Sequence, residues 1–342
     1  MSKKTSRSRL AYVLIAALLI STIFVTIQPF LPSIRSKSTP PPPPPPPVQQ
    51  VSVPSFNSDS AYAFVQKQVA FGPRVPNTPA HKNCAAWFAS EFKRYGLNVI
   101  EQPYKAVHYT GTTFNAVNII AEYKPESPKR ILIAAHWDSR FQADKDATNK
   151  TKPIDGADDG ASGVGVLLEI ARTLQAHPVD VGVDLLLFDV EDQGDDGGES
   201  ETWCLGSQYW SKNLHHPSYM PYSAILLDMV GGKDARFMKE GVSMQVAPQT
   251  VEKIWNLASS LGYGNYFNSN PRSGITDDHV FVVKNARIPM VDIISTPNEG
   301  DDPFPLHHHR HSDNMSAIDK NTLQAVGQTM TAFIYQTYNG VL

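Results

Sequence analysis

The sequence contains only two cysteines, Cys84 and Cys204, among its 342 residues. This scarcity excludes a fold built on a disulfide framework or on a cysteine-rich zinc site. Whether the two cysteines pair in an exported protein depends on a Cα separation that a sequence does not give. Charged residues are also few, at 18% of the total, whereas 41% are hydrophobic. A chain of this length and composition can bury the core of one large α/β domain.

The first 47 positions contain no acidic residue, although they carry six basic ones. Since the whole chain has 30 basic and 33 acidic residues, positions 48–342 hold 24 basic and 33 acidic residues, a net charge of −9. A body this acidic repels a phosphate backbone, so we expect no nucleic-acid partner.

A charge-free apolar run, LAYVLIAALLISTIFVTIQPF, extends from Leu10 to Phe30. Its length is typical of a membrane-spanning helix, with a long cleaved signal as the alternative. Eight prolines, Pro40 to Pro47, follow it and predict an extended spacer. The positive-inside rule then predicts a membrane-anchored protein with its body in the periplasm or, in a eukaryote, the secretory lumen. The predicted regions are a basic cytoplasmic tail, a transmembrane signal-anchor, a Pro-rich linker and a catalytic domain, at residues 1–9, 10–31, 32–54 and 55–342.

Near-continuous apolar runs at 183–190, 223–230 and 288–294 predict strands that are buried on both faces. Further strands are expected at 115–123 and 130–135. The expected helices are Ser58–Ala70, Thr78–Tyr95 and the amphipathic segment Ala161–Leu174. Strands of this kind alternating with helices predict one α/β domain, in which helices cover a largely parallel central sheet.

Polar side chains collect where these strands end, which is where sites form in open α/β sheets. They are His136, Asp138, Asp158, Asp159, Glu191, Asp192, Asp228 and His309. Each has an ordinary explanation when taken alone, such as a helix cap for Asp158 or an adventitious metal-binding tract for HHHRH at 307–311. Several buried carboxylates together repel one another unless a cation joins them. A set of His, Asp and Glu without cysteine is typical of a catalytic zinc site with an open position.

The motifs AHWDS, GADDGASG, FDVED, GSQYW, LLDMVG, TDDH and a late His-x-x-x-Asp occur in this order between about residues 58 and 340. This set resembles the zinc aminopeptidase superfamily called M28 and, within it, the zinc-dependent glutaminyl-peptide cyclotransferases of animals and bacteria. The resemblance implies a single aminopeptidase-like α/β domain with a twisted, mixed central sheet. It also implies an enzyme that converts the N-terminal glutamine of peptides or proteins to pyroglutamate and releases ammonia.

Carried over position by position, the resemblance implies one zinc ion held by Asp159, Asp192 and His309. Asp192 stands where the family usually has Glu. Glu191 precedes it as the catalytic acid–base residue. The nearby His311 lies out of register with the zinc histidine and is the alternative within the tract.

The second metal of the two-zinc aminopeptidases uses a His and an Asp at the positions of His136 and Asp228. Both are present, so the ligand set alone leaves a two-zinc metallo-aminopeptidase open as the alternative function. The second acid in TDDH, Asp277, matches the cyclases, in which it forms a carboxylate cluster with the equivalents of Glu191 and Asp228. A catalytically inactive binding module is a third possibility, against which the intact Glu191 and the complete ligand set argue.

Three residues are expected to line the substrate pocket. The stretch PFP places Phe304 five residues before the zinc histidine, as in the cyclases. His308 stands where the animal cyclases have a tryptophan, and Trp203 is a second candidate for the aromatic wall, with a core position as its alternative. The expected partners are peptides or proteins with N-terminal glutamine, and the sequence leaves the oligomeric state open.

Overall fold

The computed structural model describes residues 52–300 and 302–342. The strands within these residues are β1 (Asn98–Val107), β2 (Thr113–Tyr123), β3 (Arg130–His136), β4 (Gly182–Phe188), β5 (Ser223–Asp228), β6 (Phe237–Lys239), β7 (Phe267–Pro271) and β8 (Met290–Ile294). The α-helices are α1 (Ser58–Val69), α2 (Pro79–Arg94), α3 (Ala161–Ala176), α4 (Leu205–Lys212), α5 (Gly241–Val246), α6 (Pro248–Ser260), α7 (Asp278–Ala286) and α8 (Lys320–Tyr338). Short 3₁₀ helices span Ser200–Thr202 and Met315–Ala317.

Six strands form the central sheet in the order β1-β2-β4-β3-β5-β8. The pairs β3–β4, β3–β5 and β5–β8 are parallel, whereas β2 pairs antiparallel with both β1 and β4. Strands β6 and β7 form a separate parallel pair. The predicted α/β fold with a mixed central sheet is therefore confirmed, and its parallel half is the part that leads to the candidate site.

Strand β3 shows why its sequence is apolar without interruption. Ile131 and Ile133 belong to the larger hydrophobic cluster, on the face where α3 packs. The intervening Leu132 and Ala134 belong to a second cluster on the opposite face. Since side chains alternate across a strand, burial on both faces requires apolar residues at every position.

The helices begin at the polar residues that the sequence places there. The side chain of Asn57 accepts a hydrogen bond from the backbone of α1, and Thr78 does the same for α2, whose first residue is Pro79. The helices predicted at Ser58–Ala70 and Thr78–Tyr95 agree with α1 and α2 to within one residue at each end.

The predicted membrane-anchored location is contradicted. Between residues 52 and 342, Asp301 apart, no helix combines the length and the apolar character needed to cross a bilayer. The longest of these helices, α8, has 19 residues, but polar side chains such as Lys320, Gln324 and Gln328 interrupt it. The span expected at 10–31, together with its tail and most of its linker, lies outside the described residues. We therefore withdraw the prediction of membrane anchoring.

Candidate functional site

Several separate segments meet at the carboxyl end of the parallel strands. Strand β3 ends at His136 and β5 ends at Asp228, while the remaining segments are the loops before α3, after β4, before α7 and before α8. They surround a cavity of about 530 Å³. The predicted site residues that line it are Asp159, Glu191, Asp192, Trp203, Asp228, Asp277, Phe304, His308 and His309. His136 is buried beside them, next to Asp159 and Asp228.

Two overlapping sets of side chains at the cavity bring three potential ligand atoms within reach of one metal ion, Asp159–His308–His309 and His136–Asp159–Asp228, and Asp192 lies beside the first set. His309 Nε2 lies 3.0 Å from Asp192 Oδ1 and 3.7 Å from Asp159 Oδ2. Ligands about 2.1 Å from a tetrahedral zinc ion lie roughly 3.4 Å apart, so each of these two separations is in the range expected for a pair of ligands on one ion. Asp159 Oδ2 and Asp192 Oδ2 are also buried without a hydrogen-bond partner. Buried carboxylate oxygens need a proton, a donor or a cation, and a zinc ion would satisfy this requirement.

Asp159 also belongs to a second group. Its Oδ1 lies 3.0 Å from His136 Nε2, and the same nitrogen lies 3.2 Å from Asp228 Oδ1. One carboxylate therefore stands between two sets of ligand atoms, His309 with Asp192 on one side and His136 with Asp228 on the other. This arrangement accommodates one ion or two.

His308 is a fourth candidate ligand by distance, because its Nε2 lies 3.9 Å from Asp159 Oδ2. Its hydrogen bonding argues against that role. Burial and the neighbouring His309 hold the pKa of His308 well below its usual value, so the ring is neutral. The ammonium group of Lys145 lies 2.9 Å from Nδ1 and has only protons to donate. The ring proton is therefore on Nε2, which makes that nitrogen a donor toward the cavity.

Glycine at position 160 allows the loop of Asp159 to press against β3. Gly160 has φ +97°, and a Cβ atom there would lie 2.6 Å from Asp138 O and 3.0 Å from His136 Cε1. Any larger residue would push the loop away from the end of β3, so this glycine is required by the close approach as well as by its backbone conformation.

The ligand loops are held by buried carboxylates that do not face the cavity. Asp313 accepts hydrogen bonds from the backbone nitrogens of Asp158 and Asp159, at 2.8 and 3.3 Å. Asp158 itself accepts from Gly231 N at 2.8 Å and pairs with His307 Nε2 at 2.8 Å. Asp158 thus supports the loop; it does not cap α3, whose N-cap residue is Gly160.

Asp138 plays the corresponding part for the loop after β4. Its carboxylate accepts hydrogen bonds from the backbone nitrogens of Glu191 and Asp192, at 3.0 and 3.2 Å, and from the side chain of Gln193 at 2.8 Å. These contacts fix the direction in which the two acidic side chains leave the strand.

Glu191, Asp228 and Asp277 form an acidic cluster at the cavity, in which Asp228 and Asp277 are buried and the side chain of Glu191 is 14% exposed. Burial raises the pKa of Glu191 well above its usual value; His136 opposes this shift, and the charge of Asp277 adds to it. Burial also raises the pKa of Asp228 to about 7, against a hydrogen bond from His136 and with a contribution from Asp277. The pKa of Asp277 is raised, mainly by burial. The charge of each acid shifts the pKa of its neighbours, so the three side chains titrate as an interacting group.

Cys204 touches this cluster. Its thiol lies 3.3 Å from Glu191 Oε1 and donates to it. Both Cys204 and Cys84 are buried and free, so the two cysteines do not form a disulfide.

Behind the cluster lies a layer of buried polar residues that sequence reasoning missed. His279 Nε2 lies 3.2 Å from Glu240 Oε2, and its Nδ1 lies 3.6 Å from Asp292 Oδ2. Both carboxylate oxygens of Asp278 and of Asp292 are buried without a partner. Asp292 is easily overlooked because it lies within the apolar sequence of β8. An acidic residue in a strand that is buried on both faces is nevertheless a sign of a functional role, and this sign could have identified it.

The three residues that were expected as pocket walls, Phe304, His308 and Trp203, all line the cavity. The ring of Phe304 lies 4.4 Å from that of His308, centroid to centroid. Trp203 stacks on the predicted zinc histidine, His309, with centroids 5.8 Å apart and planes inclined by 8°. By contrast His311, the alternative ligand, does not line the cavity, and its Nε2 lies 3.3 Å from Asn149 O.

Comparison with known proteins agrees with this architecture. The pattern described as Peptidase family M28 matches residues 118–334. The chain belongs to this family.

Its relatives include cyclases. The glutaminyl cyclase of Bacteroides thetaiotaomicron, solved with bound N-acetylhistamine, is 48% identical with a TM-score of 0.81, covering 83% of this chain and 99% of that one. A Zn-dependent exopeptidase from Parabacteroides distasonis matches with the same identity, TM-score and coverage. The glutaminyl-peptide cyclotransferase of Drosophila melanogaster is 27% identical over 229 residues. That match spans 60% of this chain and 60% of the curated relative.

These findings confirm the predicted resemblance to glutaminyl cyclases within the M28 family and the zinc aminopeptidase-like fold. They also imply zinc as the metal of the site.

Proposed function

We propose that the chain is a glutaminyl-peptide cyclotransferase, which closes the N-terminal glutamine of a peptide to pyroglutamate and releases ammonia. The observation that carries this proposal is the presence of Asp277 beside Glu191 in the cavity of a chain that is 48% identical to a bacterial glutaminyl cyclase. The substrate already contains its nucleophile, the α-amine, and its electrophile, the side-chain amide carbon. A site for this reaction therefore needs to orient the peptide and move a proton, without activating water.

For the metal we propose one zinc ion, with Asp159, Asp192 and His309 as its protein ligands. Three protein ligands leave the fourth position of a tetrahedral ion free for substrate. In that position the ion would supply a Lewis acid toward the oxygen of the glutamine side-chain amide.

Glu191 is the proposed proton carrier. It accepts a proton from the α-amine as that nitrogen bonds to the amide carbon, and it donates this proton to the amide nitrogen, which leaves as ammonia. Its raised pKa suits both steps, because a general acid–base group works best when its pKa lies near the working pH. The backbone hydrogen bond from Glu191 N to Asp138 supports the orientation of the segment.

Asp277 and Asp228 are proposed to hold the reacting nitrogens and to share protons with Glu191. Phe304, His308 and Trp203 would enclose the glutamine side chain, with the Nε2–H of His308 available to a substrate oxygen. The acidic residues of the cavity suit a small, polar N-terminal residue such as glutamine.

A two-substrate assay tests the function. The zinc-loaded chain is incubated with a Gln-peptide and, separately, with leucine p-nitroanilide. We expect ammonia release and loss of one ammonia mass from the peptide, and no nitroaniline. The N-acetylated form of the same Gln-peptide is the matched control, since it lacks the nucleophile and should remain unchanged. Release of nitroaniline without ammonia would instead establish the aminopeptidase alternative.

Two additions to this assay sharpen it. N-Acetylhistamine, which is bound in the Bacteroides relative, should compete with the Gln-peptide because its imidazole can enter the same cavity. Asp277→Asn should reduce kcat for the Gln-peptide by about 10–100-fold, as expected for losing a charged hydrogen-bonding group. A variant with unchanged kcat would remove Asp277 from the mechanism.

A further inference from the structure

Arg140 is a buried cation beside the candidate metal site that the proposed mechanism does not use. Its side chain is fully buried, and its guanidinium donates to both carboxylate oxygens of Asp144, with Nε 3.0 Å from each. The same group donates from Nη1 to the backbone oxygens of Asp192 and Gly194, at 3.1 and 3.3 Å. Arg140 therefore binds the loop that carries one proposed zinc ligand.

Asp144 connects Arg140 to the second proposed ligand. Its Oδ1 lies 3.5 Å from His309 Nδ1, and that nitrogen has no closer hydrogen-bond partner among residues 52–300 and 302–342. The opposite nitrogen of the ring, Nε2, faces Asp192 and Asp159. A histidine that binds a metal through Nε2 carries its proton on Nδ1 and usually donates it to a carboxylate. Asp144 is placed for that role.

The aromatic ring of Trp203 completes the arrangement. The guanidinium carbon of Arg140 lies 4.6 Å from its ring, which in turn stacks on His309. A Cβ atom on Gly194 would lie 2.0 Å from Trp203, so the tryptophan is seated tightly on the loop after β4. Arg140, Trp203 and His309 thus form a continuous stack from the loop to the proposed ligand.

The positive charge of Arg140 near a metal ion needs to be balanced by the negative charge of Asp144. A permanently charged guanidinium near a divalent cation would weaken metal binding through repulsion. Asp144 offsets that charge, because both of its carboxylate oxygens lie 3.0 Å from Arg140 Nε. The pair therefore carries no net charge, and its effect on the metal site comes from the positions in which it holds Asp192 and His309.

We propose that Arg140 and Asp144 are positioning residues for zinc, which together orient Asp192 and His309 from one buried ion pair. The inference rests on the metal site proposed above. Neither residue lines the cavity. Their loss should therefore appear first as weaker zinc binding, before any effect on the reaction itself.

The test measures zinc affinity directly. Full-length wild-type, Asp144→Asn and Arg140→Lys chains are stripped of metal, checked for folding by circular dichroism, and titrated with zinc against a chromophoric chelator. Asp144→Asn keeps the size of the side chain but removes its charge. Arg140→Lys keeps the charge but loses the planar fork that reaches three acceptors at once. We expect both variants to bind zinc about 10–100-fold more weakly.

Asp184→Asn is the matched control. It breaks another buried Arg–Asp pair, Arg130 with Asp184, at the other end of the sheet, where the side chains are 9% and 0% exposed. This control should bind zinc as the wild type does. The proposal is overturned if either test variant binds zinc within about threefold of wild type, or if the control weakens binding equally. Because the readout is zinc binding, failure here is distinguishable from failure of the cyclase assay.

Discussion

Both ends of the central sheet bury charged side chains, but among the described residues the buried carboxylate oxygens without a hydrogen-bond partner belong to the carboxyl end. At the amino end of β3, Arg130 Nε donates to Asp184 Oδ2 at 2.8 Å, and Tyr219 also donates to Asp184. Nearby, Glu122 accepts from Asn98 Nδ2 at 2.7 Å and pairs with His216. At the carboxyl end, buried oxygens lack partners on a series of acids, namely Asp159, Asp192, Asp277, Asp278 and Asp292.

The paired charges at the amino end stabilise the fold, whereas the unpaired carboxylates at the carboxyl end can bind a proton or a cation. A paired buried charge is stable as it stands, whereas like charges buried together require protons or a cation. Burial of charged side chains therefore does not identify the active end of the sheet. The carboxylate oxygens that lack hydrogen-bond partners identify it. Substitutions at the carboxyl end should therefore reduce zinc binding or turnover. Substitutions at the amino end should reduce the free energy of unfolding.

The largest expected effect is that of His309→Ala. Removing one of three protein ligands should abolish both zinc binding and cyclisation of a Gln-peptide. Metal analysis of the purified protein and an ammonia assay measure the two losses. His311→Ala, two residues away, is the control and should retain both. If it is the His311 variant that loses zinc, the proposed ligand assignment is wrong.

Glu191→Gln should affect turnover alone. The amide keeps the size and most hydrogen bonds of the side chain but cannot accept the amine's proton, so kcat should fall by about 10²–10⁴-fold. Zinc content should remain at the wild-type value, since Asp192 is the proposed ligand. Steady-state kinetics with a Gln-peptide and metal analysis test this together. A variant that cyclises normally would exclude Glu191 as the proton carrier.

Asp184→Asn probes the satisfied end. Breaking a buried ion pair by removing one partner costs about 3–5 kcal/mol, because it leaves the charge of Arg130 unpaired. We expect the free energy of unfolding, measured in urea, to fall by this amount, while kcat per folded molecule stays unchanged. A loss of kcat without a loss of stability would contradict the division between the two ends.

The smallest effect concerns pH and His215, which also lies toward the amino end of the sheet. Burial lowers its pKa from 6.5 to about 4. Below pH 6.5 His215 becomes protonated in the unfolded chain, whereas in the folded chain it stays neutral until about pH 4. The free energy of unfolding therefore decreases as the pH is lowered from 6.5 to 4. The loss amounts to about 3 kcal/mol at the lower limit of this range. Urea unfolding at pH 7 and pH 4 should show a flatter dependence for His215→Gln than for wild type, and equal slopes would refute the assignment.

Much of the site was predictable because its residues follow apolar strands or sit in motifs with fixed spacing. His136 and Asp228 end their strands, and Asp159, Glu191 and His309 lie in recognisable motifs. Asp159, Glu191, Asp228 and His309 line one cavity, and His136 is buried next to Asp159 and Asp228.

Other features depend on contacts that no local pattern encodes. Asp144 supports a histidine 165 residues away in the chain, and a single acid such as Asp292 is concealed by the apolar run around it. Helix α8 was not predicted either, because its frequent polar residues weaken the periodic pattern. The membrane location rested on residues outside the described part of the chain, where composition was the only guide.

The distribution of the proposed ligands along the chain has a consequence for how the protein is made. Asp159 and Asp192 leave the ribosome well before His309, and the loop around Asp159 needs Asp313 to hold its backbone. A nascent chain therefore has no complete coordination sphere until the final segment has docked. Zinc would then bind late in biogenesis, and only a chain that has completed its fold would hold the ion.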